Sequence, residues 1–579
     1  MTAAGIPDSV HPDFDMQEVP LPDHYKTMGI GFLSDGRMVL AATDFVCCGE
    51  APVASPLNKI FLITNPGSSN AADIKVKEIA NTWRQFSGVT IVDDKIYISD
   101  RDGFYKLLDY ESSTLTLSNN RQKIASWPNE NTWNKGEYWH QWVFTPMYFN
   151  GFFYAPYSGS IRYGGPSDVP ATTSYSGAFL KWDMAGNLEK VAGGLRSPNG
   201  ANVSPTGEMF VADNQGSWLP SSTFMLMKPG KFYGHRQSPN RDSLGNITKL
   251  NAPNWAEGLP YERPTAWLDY WNVRTSPSQP IYMTQGRYVG DWLLGDVYNP
   301  GLVRIALDKV GDTYNGSVFW FSKGTGNSAI NRLAYGKDGN LYVGTLTQGG
   351  NWPDGATMPL YRIKAKATAT TFDMRVVRHL ADGVEIIFTD PVDPATIAAG
   401  NFSVNQWNYT RGEGYGAGKG ATQNRTVSAT ERSSDGKRVH LKIAGLLDDY
   451  VLYIRASNVK AAVGGARLWN DEAWFTLNKF STRTWDPTVS LAVEGNTPSL
   501  NLEGLIHQRL TGAGLEVSLN LEGEHSFALI TLNGSRVRTA SATGIASTVL
   551  ATGGLARGLY LLEIRHGADK WVRPVNLSL

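Results

Sequence analysis

Along the first two thirds of the chain the hydrophobic positions fall into short alternating runs, joined in pairs by small polar turns. The pattern recurs as GIGFLSDGRMVLA from Gly29, GVTIVDDKIYISD from Gly88, FTPMYFNGFFYAP from Phe144, GANVSPTGEMFVAD from Gly200, GRYVGDWLLGDV from Gly286 and RLAYGKDGNLYVGT from Arg332. Period-two alternation around a glycine- or aspartate-centred turn is what an antiparallel hairpin requires. The turns lie near Gly36, Asp94, Gly151, Gly207, Gly290 and Gly339, at spacings of about 58, 57, 56, 83 and 49 residues. Repeats on this scale predict the blades of a six-bladed β-propeller. A set of unrelated hairpins in one large β protein is the alternative, and it gives no reason for the near-constant spacing. The long interval predicts an insertion over 218–280, rich in proline, tryptophan and tyrosine, which reads as a wall of the functional site.

Beyond Ile363 the pattern changes. Residues 364–370 read as a plain linker, and MRVVRHLADGVEIIFTDPVD and SSDGKRVHLKIAGLLDDYVLYIRA then alternate around Asp-Gly turns. They predict an Ig-like β-sandwich over 371–479. A second linker contains Trp485-Asp486-Pro487, and the segment 487–579, with a Leu532-Asn533-Gly534 turn and the run GLYLLEI from Gly558, predicts another small β-sandwich. The expected fold class is therefore all-β: a six-bladed propeller over 1–366 followed by two small β-sandwich domains.

Composition narrows the function. Lysine plus arginine equals aspartate plus glutamate at 53 each in 579 residues, so bulk charge selects neither nucleic acid nor an anionic membrane surface. With 60 glycines, 18 tryptophans and 25 tyrosines the chain is turn-rich and aromatic, a composition common in proteins that face sugars. No run of about 18 apolar residues occurs, so no membrane-spanning helix is expected. The start MTAAGIPDSVHPDFD lacks a basic patch followed by an apolar stretch, so a secretion signal is expected to be absent from this chain or already removed. Cys47 and Cys48 are adjacent, and neighbouring strand residues point to opposite faces, so no ordinary structural disulfide is expected.

Candidate chemistry gathers at the ends of the repeats. His140, in EYWHQWVFTP, precedes the first strand of the third repeat, and Arg196, in GGLRSPNG, precedes that of the fourth. Equivalent positions of a propeller converge on its axis. A neutral imidazole there could take a hydroxyl proton, while an aromatic-cluster histidine held for packing is the structural alternative. Arg196 offers a planar fork for a carboxylate or quinone oxygen, or else a salt bridge between blades. The corner after the second strand, Asn214-Gln215-Gly216, presents oxygens that suit Ca²⁺. Asp44, Arg101, Asp102, Asp213, Asp296 and Arg332 begin or end repeats and can line the same channel. His235, in KPGKFYGHR, reads as loop structure.

The segments GLRSPNGANVSPTGEMFVADNQG with KPGKFYGH, WHQWVFTPMYFNGFFYAP and NSAINRLAYGKDGNLYVGT resemble the glucose/sorbosone dehydrogenase family, six-bladed propellers that bind pyrroloquinoline quinone (PQQ) with Ca²⁺. The resemblance covers about residues 20–365. It implies His140 as general base toward a sugar or alcohol hydroxyl and Arg196 as a quinone contact. Asn199, Asn214, Gln215, Asn331 and Arg332 are the further cofactor-binding candidates, and Gly216 and Ser217 would offer carbonyl ligands to Ca²⁺. The chain departs from the family at Ser197, Ser217, Tyr298 and Asn331. The last two stand where cationic anchors are expected, each such contact being worth roughly 1.5 to 3 kcal/mol. The final segment resembles the C-terminal sorting domain of the type IX secretion system, which implies a bacterial protein carried to the cell surface or beyond. These resemblances imply a secreted quinoprotein-like dehydrogenase acting on a carbohydrate or other polyol. A non-catalytic carbohydrate-binding or scaffold propeller, and a polysaccharide hydrolase or lyase using the same pocket, are the alternatives.

Overall fold

The computed structural model describes residues 9–43, 54–112, 116–128, 142–159, 175–235, 240–241, 247–248, 260–270, 272–298, 301–323, 328–348, 358–412, 415–416, 418–489, 506–519, 523–531, 535–544, 547–557, 559–566 and 569–577. His140, Asp44, Cys47, Cys48 and the Leu532-Asn533-Gly534 turn lie outside them.

Six blades of four strands follow one another along the chain, five as separate four-stranded sheets and the fifth as half of an eight-stranded sheet. Their innermost strands are Thr27–Phe32, Phe86–Val92, Met147–Phe149, Pro198–Val203, Pro277–Tyr282 and Ser328–Tyr335. Each alternating run of the sequence supplies the two inner strands of a blade, except the fifth. There the run from Gly286 is a 3₁₀ turn, Gly286–Tyr288, followed by the second strand, Trp292–Asp296, and the first strand lies upstream. Neighbouring inner strands pack tightly: a Cβ on Gly29 would stand 2.5 Å from Val89 Cγ2, so only glycine fits between the first and second blades. The ring closes when Phe14–Glu18 pairs antiparallel with Leu360–Ala365 as the outer strand of the sixth blade.

The interval 218–280 is not one insertion. It contains the third and fourth strands of the fourth blade, Ser222–Leu226 and Ala266–Leu268, so the true excursion runs only between them. Short strands among prolines and tryptophans carried too little alternation to be read as a sheet.

Of the two sheets that follow the propeller, Met374–Leu380, Gly383–Phe388, Arg438–Ile443 and Val427–Arg432 form one. The other, holding Phe402–Trp407, Gln423–Arg425, Tyr450–Ala456 and Glu472–Leu477, is continuous with the fifth blade, because Gly316, Ser317 and Val318 pair with Thr476, Phe475 and Trp474. Both sheets bury their inner faces in one apolar core that also takes in Ala306 and Phe319 of the propeller. A buried polar cluster pins the joint: Arg304 donates to Asp291 at 2.6 Å and to the Met374 carbonyl at 2.6 Å. Arg375 also reaches Asp291, and Tyr288 donates to Asp373 at 3.1 Å. Trp485 stacks on His440 at 5.2 Å, and Arg438 donates to the Asp486 carbonyl at 2.7 Å, so the Trp-Asp-Pro stretch is tied to the sandwich.

Val493–Leu579 belongs to a second compact unit. Among its described residues, Arg536–Thr543, Glu524–Ile530, Leu559–His566 and Asp569–Asn576 form one sheet, and Ile506–Thr511, Gly514–Leu519 and Ser547–Leu550 another. Leu515, Val517, Phe527, Leu529, Leu562 and Ile564 fill its core.

Candidate functional site

A repeated aspartate device shapes the mouth of the propeller. Asp213, closing the second strand of the fourth blade, accepts from the backbone N–H groups of Arg196 (2.8 Å), Ser197 (2.7 Å) and Asn214 (2.8 Å). Asp296 does the same in the fifth blade for Thr275 (2.6 Å), Ser276 (2.8 Å) and Tyr298 (2.7 Å). Each carboxylate thereby fixes the chain entering the first strand against the chain leaving the second. Burial pushes Asp213 up to about 6, with the three N–H bonds and Arg196 pulling the other way. Asp100 in the second blade, which accepts from Asp102 and Gly103, is pushed up by burial to about 7. The sequence signal was present, since FVAD, LLGD and ISD all end on aspartate.

Arg196 is buried, and its guanidinium lies flat on Gly216, where a Cβ would come within 2.0 Å of Cζ. Only glycine at 216 leaves room for it. Its Nη1 donates to the Gln215 carbonyl at 2.8 Å, its Cζ lies 5.2 Å from the Tyr415 ring centre, and Nε has no partner among the described residues. The three carbonyls that follow Gln215 are engaged as well. Gly216 O accepts from the backbone of Gly416 at 3.1 Å, Ser217 O from His235 Nδ1 at 3.0 Å, and Trp218 O from Arg411 at 3.0 Å. Burial holds His235 at about 3, and Arg196 and Arg411 push it the same way. The ring is therefore neutral, with its Nδ1 proton directed at Ser217.

Asn199, Asn331 and Arg332 meet on the axis. Asn199 donates to Asn331 at 3.2 Å, and Arg332 Nη1 reaches the side-chain oxygens of Asn331 at 2.7 Å and Asn199 at 3.1 Å. Arg332 also donates to the carbonyls of Met28 at 2.8 Å and Ser87 at 3.3 Å, so one side chain of the sixth blade ties the first, second and fourth. Burial pushes it down to about 9, and its bonds go to carbonyl oxygens rather than to a carboxylate. It stands 5.5 Å from Phe144, which stacks on Trp142, which in turn carries Arg101 at 4.1 Å.

Three tyrosines gather beside the Gln215 corner. Tyr270 is pushed up by burial, with Tyr415 and Tyr298 beside it, and its hydroxyl shares a hydrogen bond with the Gln215 side chain. Asn214 donates to Ser276 at 3.3 Å between them. Tyr415 is 43% exposed and comes from the sandwich, a contribution that no local pattern in the propeller sequence foretold.

The described residues do not fit the quinone and Ca²⁺ pair. A dication at Gly216 and Ser217 would need several oxygens, usually with carboxylates among them. Here the carbonyls already accept from protein donors, two guanidinium groups flank them, and Asp213 is committed to backbone N–H groups. Among the described residues no group of three or more His, Cys, Asp or Glu could hold a metal ion. The quinone's carboxylates would find Arg332 spent on carbonyls and neutral Tyr298 and Asn331 at the other anchor positions.

These features define a closed six-bladed propeller whose mouth is completed by a second domain. No protein-family profile matches the chain, and no curated protein matches it. Among solved structures it is similar to a glucose dehydrogenase at 14% identity and TM-score 0.41, over 61% of this chain and 99% of that one. It is also similar to the holo PQQ domain of pyranose dehydrogenase from Coprinopsis cinerea at 13% identity and TM-score 0.41, over 62% and 96%. The PQQ-bound aldose sugar dehydrogenase from Streptomyces coelicolor is similar at 12% identity and TM-score 0.39, over 62% and 100%.

Proposed function

We propose that the propeller mouth binds a carbohydrate or other polyol between the fourth and fifth blades. The observation that carries this reading is the convergence of Tyr270, Tyr298 and Tyr415 with the Asn214–Ser276 pair. Aromatic faces suit the C–H face of a sugar ring, and amide and hydroxyl groups suit its oxygens. Titration with a panel of neutral mono- and oligosaccharides is expected to find a binder, and Tyr415→Ala to weaken it at least about tenfold, or about 1.4 kcal/mol. An unchanged Kd in that variant, or no binder in the panel, counts against the site.

A second reading is oxidation of a sugar or alcohol hydroxyl, with His140 taking the proton. The segments that resemble the glucose/sorbosone dehydrogenase family favour it. Dye reduction by the purified protein with some member of the sugar panel, assayed with and without added quinone and Ca²⁺, tests it, and His140→Ala is expected to slow any such reduction roughly 10²- to 10⁴-fold. Sugar binding without dye reduction supports the binding reading alone.

We also propose that the terminal unit serves export to the cell surface or medium, through machinery of the type IX kind. Because Trp485 and Asp486 hold to the sandwich, the informative cut falls after Ala492. The shortened chain is expected to bind ligand as before and to stay inside the cell; export of the shortened chain overturns the assignment.

A further inference from the structure

Between the sandwich strands Phe402–Trp407 and Gln423–Arg425, the described residues 408–412, 415–416 and 418–422 form a strap that bonds to the fourth blade. Two of its residues meet on one buried carboxylate of the fourth blade. Tyr409 donates to Asp269 Oδ1 at 3.0 Å, and Lys419 to Asp269 Oδ2 at 2.7 Å. Between these anchors the strap addresses the corner after Gln215. Gly412 accepts from the Trp218 N–H at 2.6 Å, Gly416 donates to Gly216 O at 3.1 Å, and Arg411 donates to Trp218 O at 3.0 Å. Arg411 is also packed on Gly234, where a Cβ would approach its Nη1 to 2.3 Å, and lies over Tyr261 at 4.0 Å.

Four consecutive carbonyls, from Gln215 to Trp218, thus each accept a protein donor; the strap supplies the donor to Trp218 O and one of the two to Gly216 O, the other being the Leu219 N–H at 3.1 Å. A polar corner of this kind must have its oxygens matched, by a cation or by N–H groups, because leaving a buried carbonyl unmatched costs about 1 to 3 kcal/mol. We propose that the strap does here what a bound metal ion could do. It clamps the 215–218 corner with hydrogen-bond donors, so the geometry of the propeller mouth depends on the second domain and not on Ca²⁺. Arg196, close to both Gly216 and the strap's Tyr415, is part of the same corner.

Hydrogen exchange followed by mass spectrometry on the full chain tests this without an assay of activity. In the wild type, a peptide spanning 214–220 is expected to exchange at the same rate in excess Ca²⁺ and in EDTA. Asp269→Asn, which weakens the strap's anchorage, and Arg411→Ala, which removes a cap, are each expected to speed exchange there at least about tenfold, the signature of a lost local protection. A peptide covering Phe86–Val92 reports whether the propeller itself remains folded in the variants. Slower exchange in Ca²⁺ than in EDTA for the wild type overturns the proposal, and so does unchanged exchange at 214–220 in both variants.

Discussion

Replacing Asp291 by alanine is expected to lower the unfolding free energy by about 3 to 5 kcal/mol, the loss typical when one member of a buried ion pair is removed and the other stays. Asp291 faces Arg304, which is wholly buried, and Arg375 across the propeller–sandwich joint. Without the carboxylate, Arg304 retains the Met374 and Arg375 carbonyls and the rings of Tyr288 and Phe319 but no opposite charge so close. Urea titration of the full chain measures the change. A loss below about 1 kcal/mol would place the strength of the joint in the shared sheet and apolar core, with the ion pair contributing only at the level of a surface pair.

The second large effect concerns pH. His235 is held at about 3 in the folded chain against an ordinary value of 6.5. Between those limits the unfolded chain binds a proton that the folded chain refuses, so stability rises with pH across that window and falls as the solution is acidified. His235→Asn keeps a donor for Ser217 and cannot titrate. The wild type should therefore lose about 3 kcal/mol relative to this variant between pH 7 and pH 4, at 1.36 kcal/mol per pKa unit. Asp213 and Asp100 act with the opposite sign. Their folded values are raised to about 6 and about 7, so they favour the folded state as pH falls through those values toward 3.8. Both variants carry them, and comparing the two isolates the histidine. Parallel stability curves for the two proteins would mean that His235 accepts a proton in the folded state.

The inner hairpins were legible because alternation, turn chemistry and spacing agree there, as at Asp93-Asp94 and Lys337-Asp338-Gly339. The outer strands of the fourth blade were not. Ser222–Leu226 has its side chains almost wholly buried, so polar and apolar positions do not alternate, and Ala266–Leu268 is too short to show a period. Within the site, the position of Arg196 at a blade entrance could be read from the repeat. Its seat could not, because the seat is made by Gly216 and by Tyr415, which is more than two hundred residues away in sequence. The strap itself, RGEGYGAGKG, looks like any glycine-rich loop. Its meaning comes from where the shared sheet of the fifth blade carries the sandwich, and such a long-range pairing leaves no local trace. The burial of His235 follows from the same packing, which no reading of KPGKFYGHR could supply.

The strand that closes the ring sets an order on how the molecule is made. Phe14–Glu18 leaves the ribosome before any blade's inner strands but has no partner until Leu360–Ala365 has followed. During synthesis the growing stack of blades must therefore keep the free edges of its end sheets from pairing with other chains, a recognised route to aggregation. The contact that ends this exposure is among the longest in sequence that the propeller makes, and closing so long a loop carries an entropic cost that local hairpins escape. Completion of the ring is thus a late event, and a fusion placed directly before residue 14 would burden the step on which closure depends.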